Sequence, residues 1–397
     1  MHARDFDLGK LLRPVEPPSF FRDYWEKSPC VIPRGNRKYY SDLFSIGDVD
    51  SLISLTSPAP SESDLSVVRT EGGELSSRAI LRTPDGIPDI YFLYKAYDEG
   101  YTLIVNGLHR RWGPIATLCS KLEGELHQRV GANLYFTPRH AQGFLPHFDT
   151  HDVFVLQLEG AKVWRLYDVS VPLPLEESHK SVSKDEIGSP KREVVLDAGD
   201  LLYIPRGHVH EALTSDASSL HLTVGIHVLR WTELVKDALM LAAEDDVRFR
   251  ETVPIGFLNS GGAIELLKTR LYELLEALAE GSHGEEAIRR FSEHFYKGGS
   301  PAPDGHFVSI DQAHGISTDT VVRRRAGMIC SIYNAEGSVG IRFPGNMVSG
   351  PAPIEQALHF IAETEEFAVR NLPDILTDNA KRVLVSRLVR EGLLAIR

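Results

Sequence analysis

The chain has 397 residues, of which 42% are hydrophobic and 25% charged, and it carries a formal net charge of -12 at pH 7. This globular composition excludes a disordered or membrane-embedded chain, and the length points to roughly two or three domains. The acidic balance opposes nucleic acid as the main partner and suits a basic protein or peptide better. The three cysteines, Cys30, Cys119 and Cys330, are far apart and form no CxxC pair, so neither a disulfide framework nor a thiolate zinc site is encoded. The amino terminus "MHARDFDLGKLLRP" has no apolar core segment and no run reaches membrane-spanning length, which sets a cytoplasmic protein with no membrane partner as the expectation.

In chain order, the first part to about Leu122 mixes helical and irregular segments. "SFFRDYWEK" offers Ser19 as an N-cap and "SIGDVDSLISL" has helical apolar spacing. From Gly131 to Val228 the character changes to short β-like runs between turns: "NLYFTP", "DVFVLQLEG", "KVWRLYD", "REVVLDAGD", "LLYIPRG" and "HLTVGIHV". Strands at this spacing predict a sandwich or barrel. Beyond Arg230, "WTELVKDALMLAAEDDVRF" and "AIELLKTRLYELLEALAE" return to apolar steps of three and four residues, the period of amphipathic helices. Gly298 to Gly315 reads as a linker or long loop. A last region joins the hairpin "ICSIYNAEGSVGIRF" to the helices "PIEQALHFIAET" and "DNAKRVLVSRLVREG", a winged-helix-like combination. The basic residues Lys381, Arg382, Arg387 and Arg390 on its last helix read as the charged outer face of an amphipathic helix.

Chemistry concentrates in "GFLPHFDTHDVFVLQLEGAKVWRLYD", Gly143 to Asp168. Side chains of an extended segment alternate faces, so His147 and Asp149 project together and can reach one ion. A third ligand comes from "AGDLLYIPRGHVHEAL", which offers His208 and His210. Two histidines and one carboxylate on one face of a barrel form the facial triad of non-haem Fe(II). HxD before an apolar strand, a GD turn with an apolar strand, and PxGxxH some sixty residues on form a joint pattern more specific than any of its parts.

In "NLYFTP", "PHFDTHDVFVLQLEGAKVWRLY" and "GDLLYIPRGHVHEA" the chain resembles the JmjC oxygenases, in particular the ribosomal-oxygenase branch of cupin-like hydroxylases acting on ribosomal proteins. The tail "FAVRNLPDILTDNAKRVLVSRLVREGLL" is similar to that branch as well. The resemblance implies an α+β chain built on a double-stranded β-helix barrel with N-terminal helices over residues 1–228, a helical dimerisation segment over 229–300 and a winged-helix-like domain over 301–397. It implies Fe(II) held by His147, Asp149 and His210, 2-oxoglutarate as cosubstrate, and one oxygen atom of dioxygen inserted into a C–H bond of the target residue. The PxGxxH spacing selects His210 over His208 and His151; His208 is left as a turn or outer residue, His151 as a rim or packing residue. Asp152 is read as a structural or solvated acid.

Alternation sets Lys162 on the face of Trp164 and Leu166. A buried ammonium there needs an anion, and the resemblance supplies the distal carboxylate of 2-oxoglutarate. The positions of Asn133 and Tyr135 match residues that bind the substrate side chain in related histidyl hydroxylases, which carry a hydroxyl residue where this protein has Gly225. The expected function is therefore hydroxylation of an arginine or histidine side chain of a ribosomal protein by a homodimer. Leu239, Met240, Leu266, Leu267, Leu271, Leu274 and Leu275 supply the apolar stripes between Trp231 and Ala279. The alternatives are the same oxygenase chemistry on tRNA, a small metabolite or a natural-product peptide, or a non-catalytic cupin-like binding protein.

Overall fold

The computed structural model describes residues 6–54, 64–178, 182, 187–259, 263–281, 283–299, 301, 303–335 and 337–397. A ten-stranded antiparallel sheet organises the first part. Its strands are β1 Cys30–Ile32, β2 Leu65–Glu71, β3 Glu74–Arg78, β4 Thr102–Val105, β5 Arg129–Thr137, β6 Asp152–Val169, β7 Arg192–Asp197, β8 Leu201–Ile204, β9 His208–Leu213 and β10 Ser219–His227. They run β1-β8-β6-β10-β5-β4-β2-β3, with β7 and β9 both on β6.

The 18-residue β6 makes this possible by belonging to two faces. Its first half, Val153 to Leu156, lies between β8 and β10. Its second half, Val163 to Leu166, lies between β7 and β9. The change of partner falls at Gly160, whose φ of +69° and approach to the Ser218 carbonyl, 1.8 Å from where a Cβ would sit, admit only glycine. The sheet turns back on itself around a site pocket, and "EG" at Glu159 and Gly160 is a corner within one long strand and not a hairpin turn.

Early helices cover the outer surface. The helix Pro17–Asp23 begins two residues before the expected Ser19 cap, because Pro17 and Pro18 occupy its first turn, where a missing N–H costs nothing. Ser45 and Asp48 cap each other's turn ahead of the helix Val49–Ser54. Phe20, Tyr203 and Phe154 then pack together, with Phe20 and Tyr203 edge to face at 4.8 Å.

After the sheet come the helices Trp231–Asp245, Ala263–Glu280 and Gly284–Lys297. The stretch expected as a loop from Gly298 to Gly315 contains the helix Phe307–Gln312 and a 3-10 turn, Ala313–Gly315. Buried Ala313 and Ile316 pack there against the C-terminal core, which the Gly, Pro and His content concealed. That core gathers two three-stranded sheets with the helices Glu355–Glu363 and Asp378–Arg390. Among the described residues no helix is long and apolar enough to cross a membrane.

Candidate active site

Residues 147–149 run antiparallel to 207–210. The His147 N–H donates to the His210 carbonyl (3.1 Å), the His210 N–H to the His147 carbonyl (2.8 Å), and the Gly207 N–H to the Asp149 carbonyl (2.9 Å). Directly opposed residues of such a pair share a face, and alternation adds Asp149 to it. The two imidazole rings lie 4.6 Å apart, and His210 Nε2 is 3.7 Å from an Asp149 carboxylate oxygen. One ligand atom from each of His147, Asp149 and His210 falls within 4.8 Å of the others. Backbone pairing thus assembles the group across more than sixty residues of sequence.

Each imidazole is oriented by its far nitrogen. Nδ1 of His147 meets the Leu145 carbonyl at 2.8 Å, and Nδ1 of His210 meets the His208 carbonyl at 3.0 Å. A carbonyl accepts only, so each Nδ1 carries the hydrogen and each Nε2 presents a lone pair. Burial first, then the neighbouring His147, pushes His210 down to about 4, and it stands as a neutral ligand at pH 7. Two imidazoles and a carboxylate on one side suit a divalent iron with positions left open. His208 contributes its carbonyl to this arrangement, while its ring lies outside the group of three.

Asp152 is fully buried and accepts from the Tyr203 hydroxyl at 2.7 Å and from Arg206 Nη1 at 2.5 Å. Arg206 in turn reaches Glu26. The network ties the strand that follows Asp149 to the turn that precedes His210 and to the N-terminal helices, so Asp152 is structural.

Deeper in, Lys162, Trp164 and Leu166 are all buried. The Lys162 ammonium donates to Thr137 Oγ1 at 3.0 Å, and Thr102 backs that hydroxyl at 3.2 Å. Among the described residues no carboxylate forms an ion pair with Lys162, and burial alone pulls it down to about 7. Beside it Trp164 Nε1 and His221 Nδ1 are buried without a hydrogen-bond partner. Donors gathered around unpaired polar atoms at one end of a pocket are what a bound carboxylate requires. The pocket between this end and the triad holds about 100 Å³, room for a small molecule.

Asn133 and Tyr135 both line the same pocket. Asn133 Oδ1 accepts from the Gly107 N–H at 2.9 Å. Tyr135 stacks on His221 at 4.9 Å, and burial pushes its phenol well up. His151 lines the pocket mouth and stacks on His227 at 4.7 Å. Sequence reasoning missed Thr102, Thr137, His221 and His227. The alternation of "HLTVGIH" on the strand beside "NLYFT" carried a usable signal for His221 and His227.

Residues 109–234 match a family model described as the JmjC domain. Ribosomal oxygenase 1 of Danio rerio is 36% identical over 263 residues, covering 64% of this chain and 47% of that protein. Ribosomal oxygenase 2 of Mus musculus is 33% identical over 289 residues, covering 70% of this chain and 60% of that protein. A Drosophila willistoni protein named bifunctional lysine-specific demethylase and histidyl-hydroxylase NO66 is 33% identical over 256 residues, or 62% of this chain and 33% of its own. The chain spans about half the length of these curated relatives. The Escherichia coli ribosomal oxygenase YcfD has the same fold, with a TM-score of 0.57 over 96% of this chain and 98% of that one at 18% identity. One YcfD structure is a complex with cobalt and 2-oxoglutarate. The barrel that the strand pattern implied is thus the JmjC/cupin fold, and the protein carries a JmjC domain and is a homologue of ribosomal oxygenases 1 and 2.

Proposed function

We propose that this protein is an Fe(II)- and 2-oxoglutarate-dependent oxygenase that hydroxylates a protein side chain, with a ribosomal protein as its substrate. The observation that carries this reading is the pairing, in one small pocket, of a two-histidine, one-carboxylate group with a buried lysine that has no acidic partner among the described residues. A structural metal site would need the first and have no use for the second. His147, Asp149 and His210 would hold the iron, and Lys162 with Thr137 the far carboxylate of the cosubstrate. Iron with 2-oxoglutarate supplies the means to insert one atom of dioxygen into a C–H bond, the cosubstrate leaving as succinate and carbon dioxide.

The protein's own residues do the remaining work. The Leu145 and His208 carbonyls hold the ring hydrogens on Nδ1 and so keep both Nε2 atoms available. Val153, Val155, Trp164 and Ala212 line the pocket and exclude water from it. Tyr135, stacked on His221, shapes the wall that the target side chain meets. The charge of -12 favours a basic protein over a nucleic acid as the species that approaches, and the names of the relatives point to ribosomal proteins.

We also infer a homodimer through the helices between Trp231 and Ala279. Of the 18 residues of Ala263–Glu280 only Ala263 is buried. Leu266, Leu271 and Leu275 are left exposed, as are Leu239 and Met240 on Trp231–Asp245, an apolar surface that a second copy would cover.

The test is succinate formation by the full-length protein with Fe(II) and 2-oxoglutarate, together with mass spectrometry of ribosomal proteins from cells with and without the gene. Metal-dependent succinate and a gene-dependent gain of one oxygen are expected. A protein that binds metal yet forms no succinate with any protein fraction is a binding protein, and the proposal is then wrong.

A further inference from the structure

The segment from Gln142 to His147 is longer than the strand it faces. Gln142 pairs with Leu213 and His147 with His210, so five steps on one side answer three on the other. The surplus folds out as a bulge and carries the Phe144 ring to 5.6 Å from the His147 ring and, edge on, 6.3 Å from Tyr135. The carbonyls of a bulge have no strand N–H opposite them, so each needs a donor of its own. Four consecutive ones have it. The Gln142 carbonyl accepts from the Thr70 N–H at 2.7 Å and the Gly143 carbonyl from the Thr70 hydroxyl at 3.0 Å. The Phe144 carbonyl accepts from the Gln142 side-chain amide at 2.8 Å, and the Leu145 carbonyl from the His147 ring at 2.8 Å.

The His147 ring is thus the last donor in a row, and the donor before it is held from behind. Gln142 Nε2 also donates to Glu211 Oε2 at 2.9 Å. With an acceptor for each of its two hydrogens, the amide has one orientation. Glu211 follows His210 on β9, and alternation turns it to the opposite face. There it is buried, accepts from the Tyr167 hydroxyl at 2.7 Å and lies 3.6 Å from Arg165 Nη1. A carboxylate held on both oxygens gives the amide a charge-assisted bond, roughly twice the strength of a neutral one. Glu211 belongs neither to the group of three nor to the lining of the pocket.

We propose that Glu211 is a positioning residue that acts on His147 through the bulge. By gripping the Gln142 amide it fixes the Phe144 carbonyl, and with it the next carbonyl, Leu145, whose place decides which nitrogen of His147 carries the hydrogen. The inference rests on the reading of His147 as an iron ligand. An imidazole presents Nε2 to a metal when Nδ1 bears the hydrogen. With the grip removed, the Leu145 carbonyl no longer selects that tautomer, and the form with hydrogen on Nε2, which presents no lone pair to the metal, competes with it.

The experiment reads the ring nitrogens of His147 and His210 by NMR in the metal-free, full-length protein above about pH 8, where an ordinary imidazole is neutral. The unmodified protein is expected to carry hydrogen on Nδ1 in both rings. Glu211→Leu and Gln142→Leu should each turn His147 into a mixture of tautomers and leave His210, whose acceptor is the His208 carbonyl, as it was. Glu211→Gln, which can still accept from the Gln142 amide, should keep the His147 tautomer. Cobalt(II) affinity should fall about tenfold in each leucine variant, the lower end of the cost of disturbing an outer partner. It should fall no further in the double variant, since both changes remove one contact. Four results would each overturn the proposal: His147 unchanged in both leucine variants, His147 and His210 altered together, Glu211→Gln no better than Glu211→Leu, or losses that add in the double variant. If thermal unfolding shows that neither leucine variant folds, hydrogen exchange on the unmodified protein decides. The Gln142 side-chain N–H groups and the His147 ring N–H should then open with one free energy, and separate openings would sink the idea. Succinate formation by the unmodified protein is scored apart from this. Its absence counts against the oxygenase reading, while the tautomer result, read without metal or cosubstrate, stands or falls alone.

Discussion

Lys162 is the residue whose chemistry separates an oxygenase from a metal-binding cupin. With Thr137 as its hydrogen-bond partner and burial holding it at about 7, the amine is largely neutral in the ligand-free protein above pH 7. A bound dianion restores the charge, so binding takes up a proton, and affinity for 2-oxoglutarate should fall as pH rises above about 7 and level off below it. Calorimetry in buffers of different ionisation enthalpy reads that proton directly; an enthalpy independent of buffer at pH 8 would rule the clamp out. Lys162→Ala should weaken 2-oxoglutarate binding by about 3–5 kcal/mol, the cost of breaking a buried pair, or about two to four decades. Metal affinity measured without cosubstrate should stay close to its original value. The two histidines of "HVH" provide a second residue-level contrast. His210→Ala removes a proposed ligand and should cost more than the about 10–100-fold loss typical of disturbing an outer partner. His208→Ala keeps the carbonyl that receives the His210 ring hydrogen, and succinate formation should fall less than about tenfold, below that same range. The reverse ranking would move the third ligand to His208.

At the scale of elements, legibility followed the range of the information. Period-two alternation was enough to bring Lys162, Trp164 and Leu166 to one buried face, because strand geometry is local. The convergence of imidazoles over Gly131 and Gly225 was not legible, because it depends on the register that sets these two residues, 94 positions apart, against each other, and register emerges only when two strands pair. The same limit hid Thr102 behind Thr137. The helix Gly284–Lys297 was missed although its face is strongly two-sided, since "GEEAIRRFSEHFYK" reads as charged before it reads as periodic. Its arginines settle into ion pairs along the surface, Arg290 with Glu244 and Arg289 with Glu286. The neighbouring helix Ala263–Glu280 carries the converse signal, with Leu271 and Leu275 exposed by 55% and 49%. Changing both to glutamate should leave the monomer's stability within about 0.5 kcal/mol of its original value, as surface substitutions do. The dimer that we infer should dissociate. Light scattering at micromolar concentration checks it: a dimer unaffected by the double change places the interface elsewhere, and a monomer in the unmodified protein removes it.

For the molecule as a whole, the question is how the C-terminal core is held against the JmjC domain. One part of the contact is backbone on backbone. The helix Gly113–Leu126 presents Ser120 and Gly124 one turn apart to the turn at Gly327. A Cβ on Gly327 would lie 2.3 Å from the Ser120 carbonyl oxygen, and one on Gly124 would lie 2.8 Å from the Gly327 carbonyl oxygen. Glu293 and Arg342 join the central helices to the C-terminal sheet at 2.9 Å nearby. Gly327 also has a φ of +73°, so any substitution there meets strain as well as collision, and the two can be separated. Gly337 has a φ of +70° with nothing within 4 Å of its Cβ position, so Gly337→Ala reports strain alone, about 1–2 kcal/mol. Gly327→Ala carries the same strain and must in addition push the turn off the helix, because backbone cannot rotate aside as a side chain can. It should lower stability by more than Gly337→Ala, and it should open protease cleavage near residues 320–330 while the buried cluster around Leu358, Val385 and Leu388 remains intact. Chemical denaturation and limited proteolysis of the two variants, side by side, measure this. Equal destabilisation with no new cleavage would mean that the glycine serves the turn and that the two cores are held together by other contacts.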